Sequence, residues 1–397
     1  MSRPRVLVSG AGIAGTALAY WLHQGGFAPV VVERAAELRP GGYKIDVRGA
    51  ALQVVERMGL LDAVREARTD IRDAYIVNAK GRRFAALDAD AFGGRVHGDA
   101  ELHRGALAAL LYERSEAKYR FGDSIAALDE TGEGVEVRFE SGGTERFEFV
   151  IGADGLHSRT RALAFGPEAE FVRDLGYGVA SYSVPNELGL DRCEMTYVGP
   201  GRTALVYHTA GSEHATALFL WAAAELEVPR ERDARLAVLR EAYAGEAWEV
   251  PRLLAAAEES PDFYLDTLSQ VRMPRWSKGR VALVGDAAHC ASATSGQGTS
   301  LALVGAYVLA GELARAAEPQ EGLAAYERIM RPFAETNQAL GPRNVKSMVM
   351  RGRAQIAFAT GFLAVASRLP GKDRLMAPVV NAVHAAATAI DLPDYGF

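Results

Sequence analysis

The chain has 397 residues and a formal net charge of −6, with 49% hydrophobic and 24% charged residues. This balance is typical of a globular protein and excludes a disordered or fibrous one, and the length allows two domains. Because basic residues are not in excess, we expect small molecules rather than nucleic acid as partners. The cysteines Cys193 and Cys290 lack the spacing of a disulfide framework or a metal site, so we expect a cytoplasmic protein without a bound metal.

The first predicted elements form a β-α-β unit. Residues 5–9 read as a strand, 13–24 as an alanine-rich helix and 29–34 as a second strand. Both strands are continuous apolar runs, which favours a parallel sheet covered on both faces. The N-terminal residues lack the order of a signal peptide, and the apolar runs 301–310 and 356–366 are shorter than the roughly 20 residues that cross a bilayer, so we expect no stable membrane insertion.

The later segments change character twice. After two helices, the pattern predicts a hairpin with a turn at Gly142-Gly143 and then a long alternating region typical of an antiparallel sheet, followed by an amphipathic helix. After Pro274 a parallel-sheet pattern returns, and the remaining chain is helical. The predicted helices are 50–68, 99–115, 233–243 and 299–317, the hairpin is 120–151, the alternating region 170–224 and the late strand 280–285, with Pro332, Pro342, Pro370 and Pro378 as helix breaks.

A glycine-rich turn connects the first strand to the first helix. Gly10, Gly12 and Gly15 have the GxGxxG spacing, in which glycine permits a tight turn, close approach to a pyrophosphate and close packing of the helix on the strand. The N–H groups that open the helix, at Ile13 and Ala14, are free to bind the anion. The spacing and its context predict a dinucleotide site.

Glu33 ends the second strand, where a carboxylate can accept hydrogen bonds from ribose hydroxyls. The same charge would repel a 2′-phosphate, so we do not expect NADP in this site. The motif by itself fits both FAD and NAD.

Two later stretches favour FAD. Gly152-Ala153-Asp154-Gly155 follows the hairpin, and Gly285-Asp286 follows the late strand. With the glycine-rich turn, they occur in the order of the FAD-dependent aromatic hydroxylases, the single-component flavoprotein monooxygenases that include para-hydroxybenzoate hydroxylase and the tetracycline-inactivating monooxygenases. The sequence resembles that family from residue 1 to about residue 340.

The resemblance implies an α/β fold with two domains. A discontinuous Rossmann-like FAD-binding domain with a parallel sheet would comprise residues 1–170 and 272–340. An antiparallel-sheet substrate domain, residues 171–271, would be inserted into it, and residues 341–397 would form a C-terminal helical extension.

The resemblance also implies which residues contact FAD. Asp286 is expected to accept a hydrogen bond from a ribityl hydroxyl, while Gly296, Gly298 and Thr299 bring backbone and the positive end of a helix to the flavin ring. The further expected contacts are Arg34 near the adenosine, Gly42 and Asp46 on the other face of the flavin, Arg104 at the flavin or its phosphates, and Asp154 near the flavin and the nicotinamide. From the residues alone, a surface arginine at 104 and a turn aspartate at 154 stay open.

Four further residues bear on the chemistry. Tyr207 and Phe219, in the alternating region, are candidates for substrate contact. His289 follows Asp286 closely, and we interpret it as a packed histidine rather than a general base. Where the family has a proline beside the reactive edge of the flavin, this sequence has Ala293, which bears on oxygen activation more than on flavin binding.

The activity implied by the resemblance is hydroxylation of an aromatic or polycyclic small molecule, such as an antibiotic. NADH or NADPH would reduce the flavin and leave, and molecular oxygen would then form a flavin C4a-hydroperoxide that transfers one oxygen atom. No protein nucleophile or metal takes part, and we expect a monomer or weak dimer. Two alternatives stay open: a flavin-linked reductase or dehydrogenase without oxygen transfer, and a non-catalytic nucleotide-binding protein.

Overall fold

The structure is a computed structural model that describes residues 3–38, 41–366 and 373–397. Its α/β class confirms the prediction: a mostly parallel sheet, an antiparallel sheet and C-terminal helices. The mostly parallel sheet has the order β17-β18-β11-β1-β2-β7. Its strands are β1 (Arg5–Ser9), β2 (Ala28–Glu33), β7 (Lys118–Phe121), β11 (Phe149–Gly152), β17 (Ser277–Lys278) and β18 (Val281–Leu283).

The core of this first domain lies between the parallel sheet and two long apolar helices. Val6, Leu7 and Val8 are fully buried, as their continuous apolar run requires. Helices α1 (Ile13–Gln24) and α10 (Gly298–Arg315) pack against each other beside the sheet. The other helices of this domain are α2 (Ala50–Arg57), α3 (Leu61–Glu66), α5 (Arg104–Arg114), α6 (Arg159–Ala164), α9 (Asp286–His289) and α11 (Pro319–Gln338).

Two small sheets join this domain. A three-stranded sheet with the order β10-β9-β8 contains the predicted hairpin and consists of β8 (Ile125–Thr131), β9 (Gly134–Phe139) and β10 (Thr144–Phe147). A two-stranded ribbon pairs β3 (Lys44–Val47) with β6 (Ala100–His103). The ribbon contacts the antiparallel sheet: the amide of Lys44 donates to the Tyr207 hydroxyl at 3.0 Å.

The antiparallel sheet has seven strands in the order β16-β12-β15-β14-β13-β4-β5. One face packs on helices α7 (Arg232–Ala242) and α8 (Val250–Ala256), and the other turns toward the ribbon and the first domain. The strands are β4 (Asp73–Val77), β5 (Arg83–Asp88), β12 (Val172–Pro185), β13 (Cys193–Gly199), β14 (Arg202–His208), β15 (His214–Ala222) and β16 (Tyr264–Val271). The short helix α4 (Ala89–Phe92) follows β5.

The strand pairing departs from the predicted domain boundaries in one respect. The predicted first domain includes residues 73–88, but β4 pairs in parallel with β13 and carries β5 into the antiparallel sheet. The physical reason is that the hairpin 73–88 completes an edge that residues 171–271 leave unpaired. The remaining boundaries stay a prediction.

Several predicted helices also differ. The segment 50–68 is two helices, α2 and α3, separated by a turn, and the first residues of 99–115 form β6, whose partner β3 is distant in sequence. Pro332 lies inside α11 and does not end it. Pro342 and Pro378 also lie inside helices, whereas Pro370 falls outside the described residues.

The C-terminal helices connect the two domains. They are α12 (Leu340–Met348), α13 (Arg353–Ala366) and α14 (Asp373–Ala387). At the antiparallel sheet, the Thr203 hydroxyl donates to the Met348 carbonyl at 2.6 Å, and the Gly201 amide donates to the Met350 carbonyl at 2.7 Å. At the first domain, the Asn337 side chain donates to the Ala386 carbonyl at 3.1 Å.

Candidate functional site

The GxGxxG turn is closed so tightly that side chains are excluded from it. Gly10 has φ +104° and donates to the Val32 carbonyl at 2.7 Å, and a Cβ on Gly10 would lie 2.7 Å from the Ala153 oxygen. A Cβ on Gly15 would overlap the Gly10 carbonyl oxygen. The helix α1 therefore starts directly above the strand, with the N–H groups of Gly12, Ile13 and Ala14 in its first turn, where no intrahelical acceptor exists.

The Glu33 carboxylate is fixed beside this turn. It accepts hydrogen bonds from the backbone N–H groups of Ala11 and Ala35, both at 2.8 Å. Its position at the end of β2 is the one at which a ribose can be bound. Arg34, the next residue, is exposed.

The Gly285-Asp286 turn meets the GxGxxG helix. A Cβ on Gly285, whose φ is +63°, would lie 2.8 Å from the Ala14 Cβ. The Asp286 carboxylate opens into the cleft and lies 3.9 Å from the position of a Cβ on Gly298, the first residue of α10. Desolvation by the surrounding protein raises the pKa of the Asp286 carboxyl group, and the positive charge of the Arg104 guanidinium partly offsets this rise. Thr299 is buried in the first turn of α10, and Gly296, just before it, is left-handed.

Arg104 joins the early and late segments. Its Nη2 lies 3.6 Å from the position of a Cβ on Gly12, and its Cβ lies 3.5 Å from that of Gly42. Within the described chain, no hydrogen bond or ion pair engages the Arg104 guanidinium. It is thus a cation beside the first turn of α1, rather than the surface arginine that the sequence of its own helix would suggest.

The stretch that contains Asp154 packs against the GxGxxG turn. Asp154 accepts hydrogen bonds from the Ser158 hydroxyl and from both the backbone and side chain of Thr160, each of the latter at 2.9 Å. These contacts match the turn aspartate that the sequence left open. Its backbone nevertheless lies against the GxGxxG turn, because the Asp154 Cα is 3.0 Å from the position of a Cβ on Gly10.

Arg161 belongs to the family motif that begins at Gly152, but its contacts were not predicted from the sequence. Its side chain is fully buried and donates to the carbonyls of Leu156 at 2.7 Å and Ala287 at 3.1 Å. It therefore ties the Asp154 stretch to the Asp286 stretch. The signal was present as an arginine at a fixed distance after Asp154, but a partner 126 residues away is not visible in local sequence.

Asp46 forms salt bridges with arginine side chains of the protein. Its carboxylate pairs with Arg48 at 2.6 Å and Arg95 at 3.3 Å. Arg95 also pairs with Glu101 at 2.5 Å, and this network continues through Lys44. The expected contact of Asp46 with the flavin is not supported by these partners.

The same network reaches the antiparallel sheet. Lys44 Nζ lies 3.2 Å from Glu101 and 2.8 Å from Glu194 on β13. Burial alone would raise the pKa of Glu101, but Lys44 and Arg95 outweigh it and hold the pKa at about 2. The ribbon and the antiparallel sheet are thus joined by buried, paired charges.

Of the two predicted substrate residues, Tyr207 faces the first domain and Phe219 does not. Tyr207 lies on the ribbon-facing side of the sheet, where its hydroxyl accepts the Lys44 amide. Phe219 is fully buried on the opposite face, 4.8 Å from the Tyr243 ring and stacked on Tyr182 at 5.8 Å. The prediction for Phe219 was wrong because the alternation of β15 points its odd-numbered residues toward α7 and α8.

The cleft between the ribbon and the antiparallel sheet contains two tyrosines that were not predicted. Tyr43 and Tyr264 line a small pocket with Ser181 and Thr216. Burial raises the pKa of Tyr43, an effect that Arg104 opposes. Tyr43 therefore lies between Arg104 and the antiparallel sheet, within electrostatic reach of Arg104 and Asp286.

Tyr264 belongs to a polar chain that leads out of the pocket. Its hydroxyl donates to Asp266 at 2.8 Å, and the same carboxylate oxygen lies 3.0 Å from His157 Nε2. Hydrogen bonding to Asp266 and to Glu168 raises the pKa of the His157 imidazole to about 9. The imidazole is therefore a cation near neutral pH and holds Asp266 ionised.

His289 is packed, as interpreted from the sequence. Its side chain is 1% exposed, its ring lies 4.6 Å from that of Trp276, and burial lowers its pKa to about 3. A permanently neutral imidazole behind Asp286 is not placed to exchange protons with the cleft.

The loop at Ala293 is held by the C-terminal helices. Residues 293–295 form a single 3-10 turn, and the Thr294 hydroxyl donates to the Gly341 carbonyl at 3.2 Å while Asn344 donates to the Thr294 carbonyl at 2.9 Å. A Cβ on Gly341 would lie 2.5 Å from the Ala291 oxygen. Contacts with α12 thus fix the loop at which the sequence lacks the family's proline.

In residues 3–38, 41–366 and 373–397, no three His, Cys, Asp or Glu side chains are grouped to hold a metal. Over the same residues, no helix has both the length and the apolar character to span a bilayer. Both cysteines are free and buried.

Known proteins resemble this chain over most of its length. The family model described as FAD binding domain matches residues 3–178 and 246–339. An uncharacterized protein of Mycobacterium tuberculosis is 46% identical over 346 residues, covering 86% of this chain and 93% of that protein. A flavin-dependent monooxygenase from an unknown prokaryotic organism is 38% identical over 339 residues, covering 85% of this chain and 88% of that enzyme.

Solved structures give the same result. The tetracycline destructase Tet(51) superimposes with a TM-score of 0.87 at 32% identity, covering 99% of this chain and 100% of that one. The tetracycline destructase Tet(55) has a TM-score of 0.85 at 34% identity and covers 99% of each chain.

Proposed function

Because this chain belongs to the flavin-dependent monooxygenases with an FAD binding domain, we propose that it hydroxylates an aromatic or polycyclic small molecule, with NADH or NADPH as electron donor. The similarity to two tetracycline destructases supports a polycyclic phenol of the tetracycline type as the first substrate to test. The free, buried cysteines fit the expected cytoplasmic location.

The residues of the cleft fit FAD. The walls at Gly10 and Gly15 leave space only for backbone, the first turn of α1 offers N–H groups to a pyrophosphate, and Arg104 adds a cation beside Gly12. Glu33 and Asp286 would hold the ribose and the ribityl chain at the two ends. FAD supplies electron transfer from the nicotinamide and, once reduced, the activation of dioxygen.

The antiparallel sheet and the ribbon would position the substrate. Tyr43 and Tyr264 offer hydroxyls to a phenol or enol. Because the Tyr264 hydroxyl donates its hydrogen bond to Asp266, the Tyr264 oxygen is free to accept a hydrogen bond from the substrate. With His157 protonated, Asp266 stays ionised and keeps Tyr264 in that orientation. Closure of the cleft by the sheet would exclude water from the reacting atoms.

The observation that carries the proposal is the convergence of the early, middle and late motifs. Ala14 lies where a Cβ on Gly285 would collide with it, Arg104 lies beside Gly12, and Arg161 donates to the Ala287 carbonyl, so segments far apart in sequence form one cradle. We expect the purified protein to be yellow, with about one FAD per chain. The variant Arg104→Met should bind FAD at least tenfold more weakly, because a charge-assisted contact of about 1.5–3 kcal/mol is lost. Arg65→Met, at an exposed position, is the matched control.

Turnover tests the rest of the proposal. Tetracycline should accelerate NADH or NADPH oxidation and oxygen consumption, and product made under ¹⁸O₂ should carry one labelled atom. Substrate-dependent turnover that continues without oxygen and leaves the product unlabelled would favour the reductase alternative, for which Ala293 is the motivation. A protein unable to bind FAD would contradict the proposal itself.

A further inference from the structure

Helix α13 presents an apolar face to solvent. Phe358 is 79% exposed, Phe362 53% and Val365 61%. Their spacing of four and three residues places them on one side of the helix. A surface helix of a globular protein normally carries charged residues there, but the sequence from 354 to 367 contains none. Three large apolar side chains on one uncharged face are more than scattered surface residues require.

The inner side of α13 rests on the edge of the antiparallel sheet. The helix contacts β5 and β13, and Ile356, Thr360 and Leu363 are half-buried against them. The segment before it is fixed by the bond from the Gly201 amide to the Met350 carbonyl. The helix is therefore apolar on both sides, with one side already used for packing and the other unpartnered in the described chain.

The segment that leads into this face is cationic. Arg343, Lys346, Arg351 and Arg353 precede the apolar residues and are exposed. The sequence from 341 to 366 contains no acidic residue. This concentration of positive charge stands in a chain whose net charge is −6. The surface that complements it must be both apolar and negatively charged.

We propose that α13 docks this protein on the surface of a bilayer that contains anionic lipid. Phe358, Phe362 and Val365 would enter the boundary between head groups and acyl chains, and the flanking cations would lie on the anionic head groups. The 14-residue helix is about 21 Å long, shorter than the roughly 30 Å hydrocarbon core, so it lies on the membrane and does not cross it. A second copy of the chain fits less well, because pairing two such faces would bring like charges together.

The test is sedimentation of the FAD-loaded protein with vesicles. Binding to vesicles of phosphatidylcholine with 30% phosphatidylglycerol should exceed binding to pure phosphatidylcholine and should weaken between 0.1 and 0.5 M salt. The double variant Phe358→Ser/Phe362→Ser should partition at least about tenfold less. Leu163→Ser, which removes an exposed apolar side chain elsewhere, should bind as the wild type does. Lys346→Gln/Arg353→Gln should lose the preference for the anionic vesicles.

Other outcomes would overturn the proposal. Equal binding to both vesicles, or none, would remove the lipid as the partner. A wild-type dimer in light scattering that Phe358→Ser/Phe362→Ser converts to a monomer, without vesicle binding, would identify a second copy instead. FAD content and turnover without vesicles should be unchanged in all these variants, so failure here is distinguishable from failure of the proposed oxidation.

Discussion

The two sides of the cleft are built on different principles. On the side of the parallel sheet, the cradle is made of backbone: Gly10, Gly15 and Gly285 are positions where any side chain would collide with a neighbouring segment. On the side of the antiparallel sheet, the surface is made of side chains, such as Tyr264 and Asp266, whose positions depend on partners far along the chain. Under the proposed function, cofactor binding would depend on close backbone approach, and substrate selection on side-chain contacts.

The largest effect is expected from Gly15→Ala. The added Cβ would overlap the Gly10 carbonyl oxygen, so α1 must move away from β1 and the phosphate-binding turn must open. We expect the variant to lose bound FAD. Its free energy of unfolding should fall by more than the cost of typical overpacking, which is about 1–3 kcal/mol. The ratio of absorbance at 450 nm to that at 280 nm measures the bound FAD, and thermal unfolding measures the stability. Gly132→Ala, where a Cβ meets nothing within 4 Å, is the control. Retention of FAD by Gly15→Ala would contradict the backbone account.

The contact between the two sides can be broken at Lys44. In Lys44→Met, the buried carboxylates of Glu101 and Glu194 lose the cation they share. Removing one member of a buried ion network typically costs about 3–5 kcal/mol. Urea unfolding should report a loss in this range. Arg65→Met, which removes an exposed partner of Asp62, should change stability by less than about 0.5 kcal/mol. Equal effects of the two variants would show that burial of the network is unimportant.

The same network predicts a pH dependence. The pKa of Glu101 is lowered from its ordinary 4.5 to about 2, so its contribution is complete above 4.5 and is lost as the pH falls toward 2. Between pH 5 and pH 3 this group should remove about 2 kcal/mol from the free energy of unfolding of the wild type. In Lys44→Met this part of the acid dependence should become smaller, because only Arg95 and the Thr69 hydroxyl then stabilise the ionised Glu101 carboxylate. Parallel pH profiles of the two proteins in urea unfolding would contradict the assignment.

The smallest effect separates the two faces of the antiparallel sheet. Tyr264→Phe removes the hydroxyl that faces the cleft, and we expect kcat/KM to fall about tenfold while FAD binding is unchanged. Tyr243→Phe removes a hydroxyl packed on the opposite face of the sheet, where it donates to the Thr203 carbonyl at 2.7 Å, and we expect a loss of about 1 kcal/mol of stability without a change in kcat/KM. A loss of activity in Tyr243→Phe equal to that in Tyr264→Phe would contradict the distinction between the two faces.

What could be predicted from sequence follows the same division. Local apolar runs and glycine spacing predict the β-α-β unit, the late strand and the long helix after it. The structure has these elements close to the predicted limits. The first part of 99–115 was read as helix because β6 is only four residues long, and its partner β3 lies more than 50 residues earlier. Short strands take their conformation from such partners, which local patterns do not contain.

The candidate site divides in the same way. Gly10, Gly12 and Glu33 were predicted because a dinucleotide imposes fixed spacing on the loops around it, whereas Asp286 was predicted from the family resemblance. Phe219 was misplaced by one step of β15, since alternation identifies two faces without saying which of them helices will cover. Tyr43, Tyr264 and His157 were missed, because nothing in their local sequence indicates that they meet.

The hairpin formed by β4 and β5 constrains how this protein can be assembled and recombined. β13 has no neighbour on one side until residues 73–77 align with it, across more than 100 residues of intervening chain. Such long-range pairing is slow to nucleate, so refolding of this sheet should lag behind that of the locally connected β-α-β unit. An exchange of specificity between related enzymes must therefore transplant 73–88 together with the later strands, or the recipient will be left with an unprotected sheet edge.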